Sequence, residues 1–106
     1  MKMIKEIVEM IGDELQGAEE YARNAVILRE TNPSLAKTYY DISLDEMKHV
    51  NMLHDEAKKV IDDYRKEKGQ PPESMMAVYE YLHSRHIEEA NEVKGYQTQY
   101  KERVYS

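Results

Sequence analysis

Three residues raise a chemical question. Glu14 lies in "DELQGAEEY", and Glu46 and His49 begin and end "EMKH". Carboxylates and imidazoles ligate metals and carry protons. Each of these three stands where an apolar residue is due. Counting in sevens along one helix face gives Ile7, Glu14, Tyr21 and Leu28. The companion row reads Ile4, Ile11, Ala18 and Ala25. Rows of this kind line the inside of a helical bundle. Further on, an inward face runs through Leu35, Tyr39, Ile42, Glu46, His49, Leu53, Val60 and Tyr64, with Ala57 close by. Glu46 and His49 form a Glu-x-x-His pair, whose side chains project to one side about a turn apart.

Two breaks divide the chain into the elements that must position these groups. In "TNPS", Thr31 or Asn32 can end one helix and Pro33 can begin the next. In "KGQPPES", Gly69 suits a left-handed cap, Pro71 and Pro72 forbid continuation, and Ser74 helps start a third helix. The pattern predicts an all-α chain with helices at about 3–30, 34–67 and 73–104. Each would be roughly 40–50 Å long. Short connections make neighbours antiparallel, so the expected topology is up-down-up: a hairpin over 3–67 followed by a third helix over 73–104. All 106 residues are expected to form one domain.

Burying a lone carboxylate costs several kcal/mol unless it is paired, hydrogen-bonded or protonated. A buried Lys or Arg is the simplest partner for one such glutamate, and a tyrosine hydrogen bond accounts for one such histidine. The central seams of the first two helices contain no cation; Arg29 shares a similar stripe but lies near the far end. Antiparallel pairing through the first break sets Glu14 level with roughly residue 50, beside Glu46 and His49. Three potential ligands then converge at one height, and a divalent cation resolves the charge that each creates alone. Oxygen and imidazole donors suit iron, manganese or zinc better than a soft metal. Met47 and Met52 fall off the stripe, and His54 is expected at the surface.

In the third helix, Met75, Tyr79, Leu82, Val93, Tyr96 and Tyr100 mark an apolar face that also carries His86 and Glu89. These two are the inward polar pair expected there, ahead of the second Glu-x-x-His at Glu80 and His83.

Composition narrows the function classes. Fifteen Lys and Arg against 21 Asp and Glu leave a formal charge of −6, which disfavours nucleic acid and anionic membranes. The lack of cysteine excludes disulfides, thiolate zinc sites, iron–sulfur clusters and a cysteine nucleophile. No apolar run approaches the roughly 20 residues of a membrane span. The first residues, MKMIKEIVEMIGDE, lack the apolar core of a signal peptide. A cytoplasmic location is expected.

"DELQGAEEYA" followed by "EMKH" resembles the first half of a ferritin-like domain, in particular the rubrerythrin type. In that type a helix-1 glutamate is followed two turns later by a tyrosine, and helix 2 carries Glu-x-x-His. Glu14, Tyr21, Glu46 and His49 match one by one, and the resemblance covers about residues 4–65. It implies a carboxylate-bridged iron pair, with Glu46 bridging and Glu14 and His49 as terminal ligands. It also implies ferroxidase or peroxide-reducing chemistry, with Tyr21 and Tyr39 as candidate hydrogen-bonding or electron-donating neighbours of the site. The chain departs from the complete family pattern: three helices replace four, and no cysteine-rich rubredoxin module is present. Its organisation is more similar to the encapsulated ferritins, in which a dimer completes a site that each chain half supplies. Its tail, "QYKERVYS", does not resemble their Gly-Ser-Leu-type docking peptide.

Two arrangements complete such a site. In a homodimer, two hairpins form a four-helix bundle and Glu14, Glu46 and His49 of both chains surround two metals, with helix 3 outside. In a monomer, helix 3 is a third wall that offers His86 or Glu89. The dimer is the expected arrangement, because helix 3 lacks the second half of the family pattern. A non-catalytic module for self-association or partner binding, with an empty or structural metal site, is the competing class. A metal-free acidic scaffold would instead be stabilised by Glu14→Ala.

Overall fold

The computed structural model describes residues 2–102. Within them the chain is all-helical: α1 (Lys2–Leu28), α2 (Pro33–Lys68) and α3 (Glu73–Glu102). The expected end of the third helix, residues 103 and 104, lies outside the described residues. Both breaks fall where the punctuation predicts. Asn32 caps α2, its side chain accepting a 3.2 Å hydrogen bond from the Leu35 amide, and Pro33 opens the first turn. Gly69 closes the helix at φ +81°, a left-handed conformation that favours glycine, while its N–H donates to the Arg65 carbonyl. Arg65, Lys66 and Lys68 in the last turn offset the negative end of the helix dipole.

The three helices form a rod of 55 × 18 × 18 Å. α1 is the central element: it packs along α2 and, less extensively, along α3, whereas α2 and α3 touch sparingly. One buried polar contact links those two. Ser43 Oγ donates to the Tyr40 carbonyl at 2.6 Å and accepts from Gln97 Nε2 at 3.1 Å. Tyr40 and Tyr100 stack nearby, with ring centroids 4.6 Å apart. No described helix is long and apolar enough to cross a membrane.

The core differs in rotation from the sequence reading. The row Ile4, Ile11, Ala18 and Ala25 is buried, but its partner row is Val8, Leu15 and Ala22. Ile7, Glu14, Tyr21 and Leu28 are only half-buried. On α2 the buried row is Ala36, Ser43, Val50 and Ala57, with Ile61, whereas the expected stripe through Leu35, Ile42, Glu46 and Leu53 borders it. The cause is α3. It packs over the far side of α1, where Ala18 and Ala22 leave room for Val93 and Tyr96, and so moves the centre of the core that way. Met47, given no role above, turns inward for the same reason and fills space between the Leu15–Val50 and Ala22–Val93 clusters. The α3 face itself is as expected, with Val93 and Tyr100 buried and Met75, Tyr79, Leu82, His86, Glu89 and Tyr96 half-buried.

Candidate metal centre

Glu14, Glu46 and His49 come together midway along the hairpin. Each offers one ligand atom, and the three atoms lie within 4.8 Å of one another. Two turns of heptad spacing on α1 and the Glu-x-x-His step on α2 set their height, and the tight turn at Asn32 sets the register. Gly17, one turn beyond Glu14, lets the second carboxylate approach the α1 backbone. A Cβ there would sit 3.5 Å from Glu46 Oε2.

Electrostatics follow from this proximity. Glu46 has its pKa pushed up to about 7, first by a hydrogen bond to Glu14, then by burial and by the Glu14 charge. Glu14 is held below the ordinary carboxylate range, chiefly by that same hydrogen bond; burial opposes the shift, and a hydrogen bond with His49 and its charge add to it. Below about pH 7 the pair therefore shares one proton, held on Glu46, while Glu14 carries the charge. His49 Nδ1 donates to Glu14 Oε2 at 3.3 Å, since a carboxylate only accepts. Their side chains are 53% and 32% exposed, so the group is open to solvent on one side. Among the described residues these three are the Asp, Glu and His side chains whose donor atoms lie close enough together to share one cation.

The other candidate residues lie elsewhere. Tyr21 and Tyr39 pack edge to face, with centroids 5.4 Å apart, about two turns (roughly 10 Å) from the triad. His86 Nε2 lies 3.6 Å from where a Cβ on Gly12 would be. Glu89 hydrogen-bonds with Glu19, and burial and that contact raise its pKa. Gly12 and Glu19 point roughly 140–160° away from Glu14 around α1. α3 thus covers the far flank of the hairpin and brings neither His86 nor Glu89 to the triad.

The chain matches no protein-family model, no curated protein and no solved structure. What the triad can do thus rests on its own chemistry. Two carboxylates and an imidazole, open on one side and with no Lys or Arg among them, fit a hard or borderline divalent cation.

Two features escaped sequence reasoning. His54, expected at the surface, is half-buried against His83 of α3. Gly17 makes the contact with Glu46. Its signal was present: glycine inside a helix costs about 1 kcal/mol relative to alanine, and α1 carries two, each against a polar side chain of another helix.

Proposed function

We propose that this chain is a ferritin-like di-iron carboxylate protein that oxidises Fe(II) or reduces peroxide at a site shared across a homodimer. The convergence of Glu14, Glu46 and His49 within 4.8 Å carries this reading. One chain supplies two carboxylates and one imidazole; two chains supply four and two, the donor set of helix-bundle di-iron sites. The residues fit such ions because the donors are oxygen and nitrogen and their charge is not met by a protein cation. Manganese or zinc suits the same donors.

Two features support pairing. The triad is open on the side away from α3, so a second hairpin has access to it. The flank around it is apolar: Met3 and Met10 are exposed at 59% and 51%, and Ile7, Tyr21, Tyr39, Ile42 and Leu53 are half-buried. An apolar flank with a polar centre suits a two-fold interface in which each copy faces its equivalent.

Iron held there would supply electron transfer to dioxygen or peroxide. Glu46 sits between α1 and α2, beside Gly17, where a carboxylate can reach a shared ion. Glu14 and His49 would supply the other oxygen and nitrogen donors from the same chain. Before an ion binds, the proton on Glu46 relieves the repulsion between the two carboxylates, and binding must displace it.

Anaerobic Fe(II) titration of the apo-protein, with its mass recorded, followed by oxygen or peroxide, tests the reading. Saturation near about one iron per chain in a dimer, with oxidation lost in Glu46→Ala, is expected. A folded protein that binds no Fe(II) overturns it and leaves a helical module for self-association or partner binding. Tight binding without oxidation leaves a structural metal.

A further inference from the structure

A second group of imidazoles lies between α2 and α3, away from the carboxylate triad. His54 of α2 stacks on His83 of α3, with ring centroids 4.8 Å apart and planes 15° from parallel. Tyr79 lies on the same ring, 5.9 Å away between centroids. His86, one turn after His83, shares with both a cavity of about 170 Å³ that Ile11, Met47 and Val50 also line. His54 Nε2 is fully enclosed and has no hydrogen-bond partner. Native structures rarely leave a buried polar atom so, and an orphaned one calls for a missing partner.

We propose that His54, His83 and His86 form a second metal site, an all-imidazole clip between α2 and α3 that takes a borderline divalent ion such as Zn(II). Three nitrogen donors with no carboxylate among them suit zinc, copper or nickel, whereas the oxygen-rich triad suits iron or manganese. Burial holds His54 and His86 below the ordinary histidine range, and neighbouring imidazoles add to this. The His83-x-x-His86 spacing sets two rings on one face of α3, opposite the single ring of α2. As they stand, the His54 and His83 rings are nearly parallel and their nitrogens do not meet at one point. Binding therefore requires one ring to turn toward the others, and the volume exceeds that of an ion with bound water, at roughly 30 Å³ per water.

The clip would fasten the weakest seam of the fold. On α3 only Val93 and Tyr100 are buried, and its contacts with α2 are sparse. An ion tying His54 to the two α3 histidines would join these helices directly. It does not depend on the iron reading, because it shares no residue with the triad.

The test uses the full chain carrying Glu14→Gln and Glu46→Gln, which disable the triad, titrated with Co(II) as a spectroscopic probe and then with Zn(II). Expected are about one ion per chain, the intense visible bands of four-coordinate cobalt and displacement by zinc. Added His83→Ala should weaken Zn(II) by at least the roughly 100-fold that loss of an outer support alone can cost. His54→Phe keeps the ring stack and its burial while removing the nitrogens, so it should lose the ion with helical content unchanged. Zinc should also slow amide exchange in α3 more than in α1. No binding to the folded double variant, or binding that survives both His54→Phe and His83→Ala, overturns the proposal.

Discussion

Glu46 reaches the backbone of the neighbouring helix because residue 17 is glycine: its Oε2 lies 3.5 Å from the place a Cβ on Gly17 would take. That distance is ordinary contact, so one methyl group fits and a longer side chain does not. Gly17→Ala should stabilise α1 by about 0.5–1 kcal/mol through backbone entropy and leave metal affinity within a few-fold. Gly17→Leu, also a good helix former, should push the Glu46 carboxylate aside and weaken Fe(II) binding by at least about ten-fold, roughly 1.4 kcal/mol. Thermal melts and anaerobic titrations of the two variants separate these effects. Equal affinity in both would mean that Glu46 is not held where it is by this close approach.

Glu46→Gln tests the shared proton. The amide can donate to the Glu14 carboxylate as protonated Glu46 does, but at every pH and without a charge to neutralise. The apo-variant should therefore melt above the apo-wild type at pH 8, where the wild-type pair carries two adjacent charges. Its Fe(II) affinity should fall, because an amide oxygen is a neutral and weaker donor. Differential scanning calorimetry beside the titration reads both. A variant that is less stable at pH 8 would show that the two carboxylates do not repel one another.

The helices were legible in the sequence because their signals are local. Asn32–Pro33 and Gly69 through Pro72 mark chain breaks whatever the chain packs against, and the capping geometry bears them out. The meeting of Glu14 with Glu46 and His49 was legible too, since one short turn fixes the register of two antiparallel helices. The rotation of the core was not. The apolar arc on α1 is wide enough to accept Ile7 or Val8 as its edge. Only the docking of α3 over Ala18 and Ala22 decides between them, and that contact joins residues far apart in the chain. The same long-range contact turns Met47 inward and His54 toward His83, and nothing in the local spacing of either residue announces it.

Met10 tests the pairing of hairpins. It is 51% exposed and lies about 40° around α1 from Glu14, on the open flank. Met10→Lys should change the stability of a lone chain by no more than about 0.5 kcal/mol, as surface substitutions generally do. In a two-fold interface it sets two like charges close together. Sedimentation equilibrium should then show the mass fall from dimer to monomer. Iron oxidation should fall with it, since each chain keeps only half of the donors. A dimer that persists unchanged would place the interface elsewhere.

Glu89 supplies the pH dependence on the other flank. Burial, followed by its hydrogen bond with Glu19 and the charge of that residue, raises its pKa above the usual carboxylate value of 4.5. The folded protein therefore holds this proton more tightly than the unfolded chain does. The stability it contributes is fully present below pH 4.5 and is lost as pH rises through the raised folded-state value. Glu89→Gln keeps a hydrogen-bond donor for Glu19 and removes the charge, so the variant should lose less stability than wild type between pH 4.5 and 8. Urea melts at several pH values across that window measure the difference directly. Parallel pH profiles for the two proteins would show that Glu89 and Glu19 do not share a proton and that the contact between α1 and α3 is indifferent to it.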